Sequence, residues 1–399
     1  MQLISSRYRV LGAGIASLLL VMGLARFAYT PLLPLMQRQA GLGIAEAGWL
    51  AAINYAGYLT GALIASCIND IVLKDRLYRF GMVLAVLSTA MMGMTTDPVI
   101  WAVSRYLAGL SSAAGMLLGT ALILNWLLRH EFRTELGVHF SGVGLGIAAS
   151  AAAIEMMNRG QVDWSAQWYV LASIGCLLLV PALAWLPAPD RGVVTRSGKP
   201  MRDAPPRPLF LRIFMLSYFC AGAGYVVSAT FIVAIIDRLP GMHGDGTYIF
   251  LVIGLSAAPG CVLWDLVARR MGELNALILA TILQIFGILL PVIGHGLTPA
   301  LGGAILFGGT FAGSVSLVLT MVGRYYPTRP AKLMGKMTIS YGLAQIIAPA
   351  LTGSLAVRLG GYAAGLYFAA VAMVIGVLLL LLLRLLETGA RRPIEADLA

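Results

Sequence analysis

Two arginines, Arg26 and Arg105, lie in the middle of long apolar runs. A guanidinium stays charged at any physiological pH and offers five N–H donors in a planar fork that fits a carboxylate, sulfonate or phosphate. Within a bilayer such a charge costs about 2.5–3.5 kcal/mol on the insertion scale, so it must face protein or a water-filled cavity and needs partners. The seventeen acidic residues fall in polar segments or near the ends of apolar runs, and none matches either arginine in depth. Arg26 therefore has two readings: counter-charge to an anionic ligand, or a tie between helices through carbonyls and tyrosine hydroxyls. Arg105, about two turns from the end of its run, reads first as a buried structural or coupling residue.

Other polar groups recur at helical spacing. Asn54 and Tyr58 stand four residues apart, Tyr225 and Ser228 three apart, and Thr310 and Ser314 four apart. Thr338, Tyr341, Gln345 and Thr352 follow one helix face, and Tyr29 closes the Gly23–Tyr29 stretch that holds Arg26. Groups like these avoid lipid, and an inward position means either helix–helix adhesion or cavity lining. Arg26, Tyr29, Asn54, Tyr58, Tyr225, Thr310, Tyr341 and Gln345 form the expected substrate-binding set. Proton coupling has three candidates, His139, Glu155 and Asp237. His139 titrates near neutral pH in water, but it falls about one turn inside its run, where the mouth of the protein would hold it without a coupling role.

The elements that position these residues are apolar runs long enough to cross a bilayer. The 399-residue chain is 59% hydrophobic and 11% charged, with mean hydropathy +0.86. A soluble domain carries about 25% charged residues. Runs at 10–36, 45–68, 79–95, 98–128, 135–157, 167–186, 210–236, 247–268, 274–294, 298–323, 333–356 and 362–386 each reach the roughly 20 residues that a helical span needs. They are too long for barrel strands, so an all-α integral membrane protein of twelve transmembrane helices is expected. The first run is longer than the apolar core of a secretory signal and reads as a retained span. Residues 187–209 carry six prolines and five basic residues, a polar linker too short to fold alone. The expected units are residues 1–186, a six-helix bundle, the linker 187–209, and residues 210–399, a second six-helix bundle.

The net charge of +11 does not mark a nucleic-acid binder, because the basic residues are confined to short connections. Of the 28 Lys and Arg, 22 lie in or beside the termini, the linker and alternate connections, and only Arg38, Arg159, Arg238 and Arg358 lie on the other side. The positive-inside rule then puts both termini and the linker in the cytoplasm of a multi-pass inner-membrane protein, expected to be prokaryotic. Cys67, Cys176, Cys220 and Cys261 form no CxxC pair, and the four histidines are scattered, so no metal site or cofactor is expected. A GxxxxGK[ST] loop is absent, which excludes ATP-driven pumping by this chain alone. A membrane enzyme would want clustered carboxylates or histidines near the membrane, and the connections hold none.

Several motifs follow one another in a familiar order. Arg105-Tyr106-Leu107-Ala108-Gly109 leads to Ala113 in the fourth run, and His139-Phe140-Ser141-Gly142-Val143-Gly144-Leu145-Gly146 opens the fifth. Phe307-Gly308-Gly309-Thr310-Phe311 and Gly342-Leu343-Ala344-Gln345 lie in the tenth and eleventh. On a twelve-span plan with a basic linker, these resemble the YbfB/YjiJ-like branch of the major facilitator superfamily over essentially the whole chain. The resemblance implies the major facilitator fold and a secondary transporter, functional as a monomer, with spans one, seven, ten and eleven around the cavity. The superfamily's G-x3-D-R-x-G-R-R gate motif is stretched here between Gly61 and Gly81, and the matching segment around Asp265 is off-register. A gating role passes to Asp70, Arg76 and Asp265. The sequence thus points to a transporter of a small organic anion, such as a carboxylate, working by alternating access, with proton coupling open. The alternative is an exporter of amphipathic drugs or metabolites.

Overall fold

The computed structural model describes residues 2–134, 136–192, 194–236, 246–294, 296–359 and 363–396. Asp237, Arg238 and the side chain of Arg358 lie outside the described residues. Helix is the regular structure throughout, apart from one isolated antiparallel pairing, Val194 with Pro200, in the linker.

The helices in chain order are α1 (Ser6–Gln39), α2 (Ile44–Cys67), α3 (Ile71–Met94), α4 (Pro98–Arg129), α5 (Gly137–Arg159) and α6 (Trp164–Ala184). After the linker come α7 (Pro208–Ile236), α8 (Gly246–Met271), α9 (Glu273–Ile293), α10 (Leu297–Tyr325), α11 (Ala331–Leu359) and α12 (Ala363–Ala396). Eleven of them have a described portion long and apolar enough to cross a membrane; α11 completes the twelve. Helix starts are set by local chemistry. Asp70, Asp97 and Asp163 each accept a hydrogen bond from an N–H of the first turn that follows, at 2.9, 2.7 and 2.9 Å. Pro98 occupies the first turn of α4, where its missing N–H costs nothing.

The third helix begins earlier than the apolar run, at Ile71 rather than near residue 79. Its first nine residues hold Lys74, Asp75, Arg76 and Arg79, which a hydropathy window reads as a connection. Asp70 caps the helix, Lys74 and Asp75 are buried, and Arg79 pairs with Asp75 at 2.9 Å. Arg79 also donates to the carbonyls of Leu183 and Leu186, tying α3 to the end of α6.

Glycine spacing decides the packing of α5. On a helix, residues four apart share a face and residues two apart do not. A Cβ on Gly142 would fall 2.7 Å from the Ile15 carbonyl oxygen, and one on Gly146 2.9 Å from the Gly23 Cα, both on α1. A Cβ on Gly144, between them, would fall 2.2 Å from the Ala258 nitrogen on α8. So Gly142 and Gly146 seat α5 within its own bundle, and Gly144 belongs to the seam with the other bundle. Further along that seam, Gly254 meets Ala148 and Gly137 meets Cys261 with the same closeness. A second seam joins α2 to α11, where Gly335 lies against Ala62 and Ser66. Without a hydrophobic force between helices in lipid, close approach of this kind supplies the adhesion.

At the linker face the two bundles are bonded directly. Asn125 donates to the Pro327 carbonyl at 3.1 Å, the Gly137 N–H to Asp265 at 2.6 Å, and Arg324 to Thr134 at 2.6 Å while also pairing with Glu273. The linker is laced to both. Asp190 pairs with Arg129 and Arg191 with Asp70, while Asp203 accepts from Thr328 and Arg329.

Candidate functional site

The helix that carries Arg26 is not wound uniformly. Between Leu19 and Phe27 α1 opens into π turns, and the Ala28 N–H bonds to Gly23, five residues back. The Leu32 N–H bonds to Ala28. Carbonyls 24 to 27 then have only the N–H groups of Tyr29 and Thr30 available, because Pro31 has none. Two carbonyls need donors from elsewhere. Arg105 supplies them, bonding the Ala25 carbonyl at 3.0 Å and the Arg26 carbonyl at 3.3 Å. Its guanidinium also lies over the Tyr29 ring, 4.4 Å from the centroid. Asn54 donates to the Arg105 carbonyl at 2.9 Å, and Tyr29 to the Ala47 carbonyl at 3.1 Å. The Arg105 side chain is therefore a structural clamp that sets the backbone at Arg26.

Arg26 itself is 5% exposed and has no carboxylate or hydrogen-bond acceptor among the described residues. Aromatic faces surround it instead, with its guanidinium carbon 4.6 Å from the Tyr58 centroid, 4.9 Å from Tyr55 and 5.7 Å from Phe27. It lines a central cavity of about 40 Å³ between the two bundles, with Tyr58, Tyr225, Tyr341 and Gln345. Phe27, Phe140, Tyr218, Phe311, Val315 and Thr338 complete most of the wall. Tyr225, Phe307 and Phe311 stack in series at 5.3 to 6.3 Å, and Tyr218 and Tyr341 lie 4.6 Å apart.

Five of the eight expected binding residues meet at this cavity. Tyr29 and Asn54 stand outside its lining, turned toward Arg105, and Thr310 bonds back to its own helix at Leu306. Phe140 and Phe311 belong to the motifs of the fifth and tenth runs, where nothing in the sequence marks them as cavity lining. Gln284, in the wall of an adjoining hollow, is a lone amide in the middle of a very apolar run, and that isolation was the available signal.

The remaining candidates fall elsewhere. His139 is fully buried between α1, α4 and α5, not at an open mouth. Thr120 gives its hydroxyl proton to the Met116 carbonyl, so it accepts from Nε2 of His139 at 2.9 Å. Gly14 makes the room, since a Cβ there would fall 2.2 Å from Nδ1. At the face away from the linker, Tyr248 of α8 accepts from Arg159 at 2.7 Å and donates to Glu155 at 3.0 Å. Beside this triad is a hollow of about 290 Å³ lined by Pro31, Pro34, Arg38, Glu155 and Phe250. Phe250 meets Phe27 edge to face at 6.5 Å, and the pair stands between that hollow and the central cavity. Among the expected gate residues, Asp265 bonds across the bundles and Asp70 holds the linker, whereas Arg76 is exposed. The capping N–H of Val72, then Arg191, holds the Asp70 carboxyl below its ordinary 3.8.

The family model for the uncharacterised MFS-type transporter YbfB matches residues 18–381. The chain belongs to this family of the major facilitator superfamily. A curated relative, the uncharacterized MFS-type transporter YceJ of Bacillus subtilis strain 168, is 24% identical over 283 residues, covering 67% of this chain and 69% of the relative. Among solved structures, the human organic anion transporter MFSD10 superposes with a TM-score of 0.70 at 19% identity, covering 94% of this chain and 99% of that one. The nucleoside transporter NupG gives 0.66 at 12% identity, covering 95% and 99%. Identities this low establish the fold, and the fold is that of MFS transporters. The YbfB-family chain is accordingly a multi-pass membrane transporter of a small molecule, not an enzyme.

Proposed function

We propose that this transporter is a secondary carrier of a small organic anion and works by alternating access, rocking residues 1–186 against residues 210–399. The observation that carries the reading is Arg26, a buried cation on a cavity wall with no carboxylate partner among the described residues. Three aromatic faces stabilise its charge, and cation–π contacts of this kind leave the planar N–H fork free. An anionic ligand supplies the missing counter-charge. The charge bias of the connections supports a cytoplasmic linker face. Entry from the opposite face would pass the hollow at Arg38 and Glu155, then the Phe27–Phe250 pair.

A second reading, export of amphipathic compounds, draws on the aromatic wall formed by Tyr58, Tyr218, Tyr225, Phe311 and Tyr341. The two readings differ in what Arg26 does. Counterflow of labelled carboxylates in proteoliposomes separates them: Arg26→Gln abolishes counterflow in the first case. If Arg26→Gln counterflows carboxylates at the wild-type rate, the anion reading is wrong.

A further inference from the structure

A second hollow of about 20 Å³ lies inside the bundle formed by α7 to α12, against the central cavity. The two share Tyr218, Phe311, Val315 and Tyr341 as common wall, three of the four aromatic. Beyond the shared wall a mainly apolar lining of Phe214, Leu277, Val318 and Leu380 includes four polar residues, Ser217, Thr281, Gln284 and Ser314. Ser217 and Thr281 spend their hydroxyl protons on the carbonyls of Gly376 and Leu277. Gln284, 3% exposed overall, makes no hydrogen bond among the described residues, its amide keeping access to the hollow, and the fully buried Ser314 hydroxyl lacks a partner. A buried polar group without a partner costs about 1–3 kcal/mol, so the Ser314 hydroxyl, with the unbonded Gln284 amide lining the same hollow, marks a place where something polar sits. The hollow bears no charge. A space of this size accommodates about one or two water-sized groups.

The central cavity thus has two unlike poles. Arg26 offers charge on the side of α1, and Gln284 with Ser314 offers neutral donors and acceptors on the side of α9 and α10. The wall between them is largely aromatic, with the Tyr218 and Tyr341 rings 4.6 Å apart. We infer that the substrate is an organic anion carrying a neutral hydrogen-bonding group, a hydroxyl or amide, at the end opposite its carboxylate, with an apolar, planar middle that displaces and packs against the rings of the shared wall. This rests on the anion reading above for one pole and on Gln284 and Ser314 alone for the other. A single ordered water would satisfy the same two side chains without any ligand, and the experiment separates the two cases.

The probes are matched pairs: phenylalkanoates and the same acids bearing a para-hydroxyl. Equilibrium binding to the purified full-length transporter is measured by thermal shift and by displacement. The hydroxylated acid is expected to bind about tenfold or more tightly than its parent, the value of one well-made buried hydrogen bond. Gln284→Leu and Ser314→Ala each shrink that ratio, and together they bring it to one. Removing an unpartnered amide does not endanger the fold, and gel filtration of each variant checks it. Arg26→Gln weakens both acids together and leaves their ratio in place. Equal binding of the pair by wild type, a ratio that survives Gln284→Leu with Ser314→Ala, or no saturable binding of either acid would overturn the inference. If Arg26→Gln leaves both affinities intact while the ratio still responds to Gln284→Leu, the anion reading fails and the neutral pole stands.

Discussion

If Arg105 repairs two stranded carbonyls, a second way of repairing them should make it less necessary. Pro31→Ala is that way, because it returns an N–H to the first turn after the π segment, within reach of carbonyl 26 or 27. The single change Arg105→Met keeps the stem volume and removes both donors. Its measured effect mixes the loss of two bonds with relief from holding a charge in the membrane, so its sign is ambiguous. The double-mutant cycle isolates the carbonyl contribution. Interhelical hydrogen bonds within a bilayer measure about 0.6 kcal/mol on average and about 1.7 at most. One bond restored out of two should therefore give a favourable coupling of about 1 kcal/mol between Arg105→Met and Pro31→Ala. Reversible unfolding of the four proteins in mixed micelles, followed by helical circular dichroism, measures it. Additive effects, with coupling inside about 0.3 kcal/mol, would refute the assignment of Arg105 as donor to the Ala25 and Arg26 carbonyls.

Gly144→Val should put a branched side chain against the backbone of Ala257 and Ala258, where nothing yields, and cut counterflow to about a tenth or less. Gly48→Ala, which meets nothing within 4 Å, serves as the control and should transport as wild type does. Acid should loosen the linker only late. Asp190, like Asp70, has its carboxyl held below the ordinary 3.8, by the Gly192 N–H and then by Arg129. A depressed carboxyl contributes its full share above its unfolded value and loses it as pH falls through the folded one. Protease cleavage of residues 187–207 in proteoliposomes should stay constant from neutral pH to about 4.5 and rise below the unfolded value. A rise already at pH 6 would show that these pairs do not hold the linker.

Hydropathy made nearly all of the scaffold legible, because the bilayer fixes span length and backbone chemistry fixes helix as the form. It failed at the start of α3, where charge signals a connection but Asp70, Asp75 and Arg79 pair locally and allow the helix to begin sooner. For the site, depth and charge singled out Arg26, and helical spacing brought Tyr225, Tyr341 and Gln345 to it. Tyr29 is three residues from Arg26 in sequence and Asn54 has the helical spacing to Tyr58, but the Tyr29 ring lies under the Arg105 guanidinium and Asn54 donates to the Arg105 carbonyl. Only the tertiary fold reveals that competition. Gln284 was overlooked for a related reason: a single amide in an apolar run has no periodic companion, and its significance comes from Ser314 on the next helix.

The π winding of α1 also bears on how this helix tolerates change in length. An α-helix advances about 100° per residue, so a stretch that accommodates one residue beyond regular winding turns everything after it by that angle. Tyr29 reaches Arg105 in that rotated frame. Taking one residue out of Leu19–Phe27 would let regular winding resume while both flanks keep their neighbours, and one of the two stranded carbonyls would find a donor within its own helix, leaving only the carbonyl that faces the missing N–H of Pro31. A deletion, ordinarily the most disruptive edit to a membrane span, is at this place a smaller disturbance than many substitutions. Relatives that lack the equivalent of Arg105 should therefore align with a one-residue gap here.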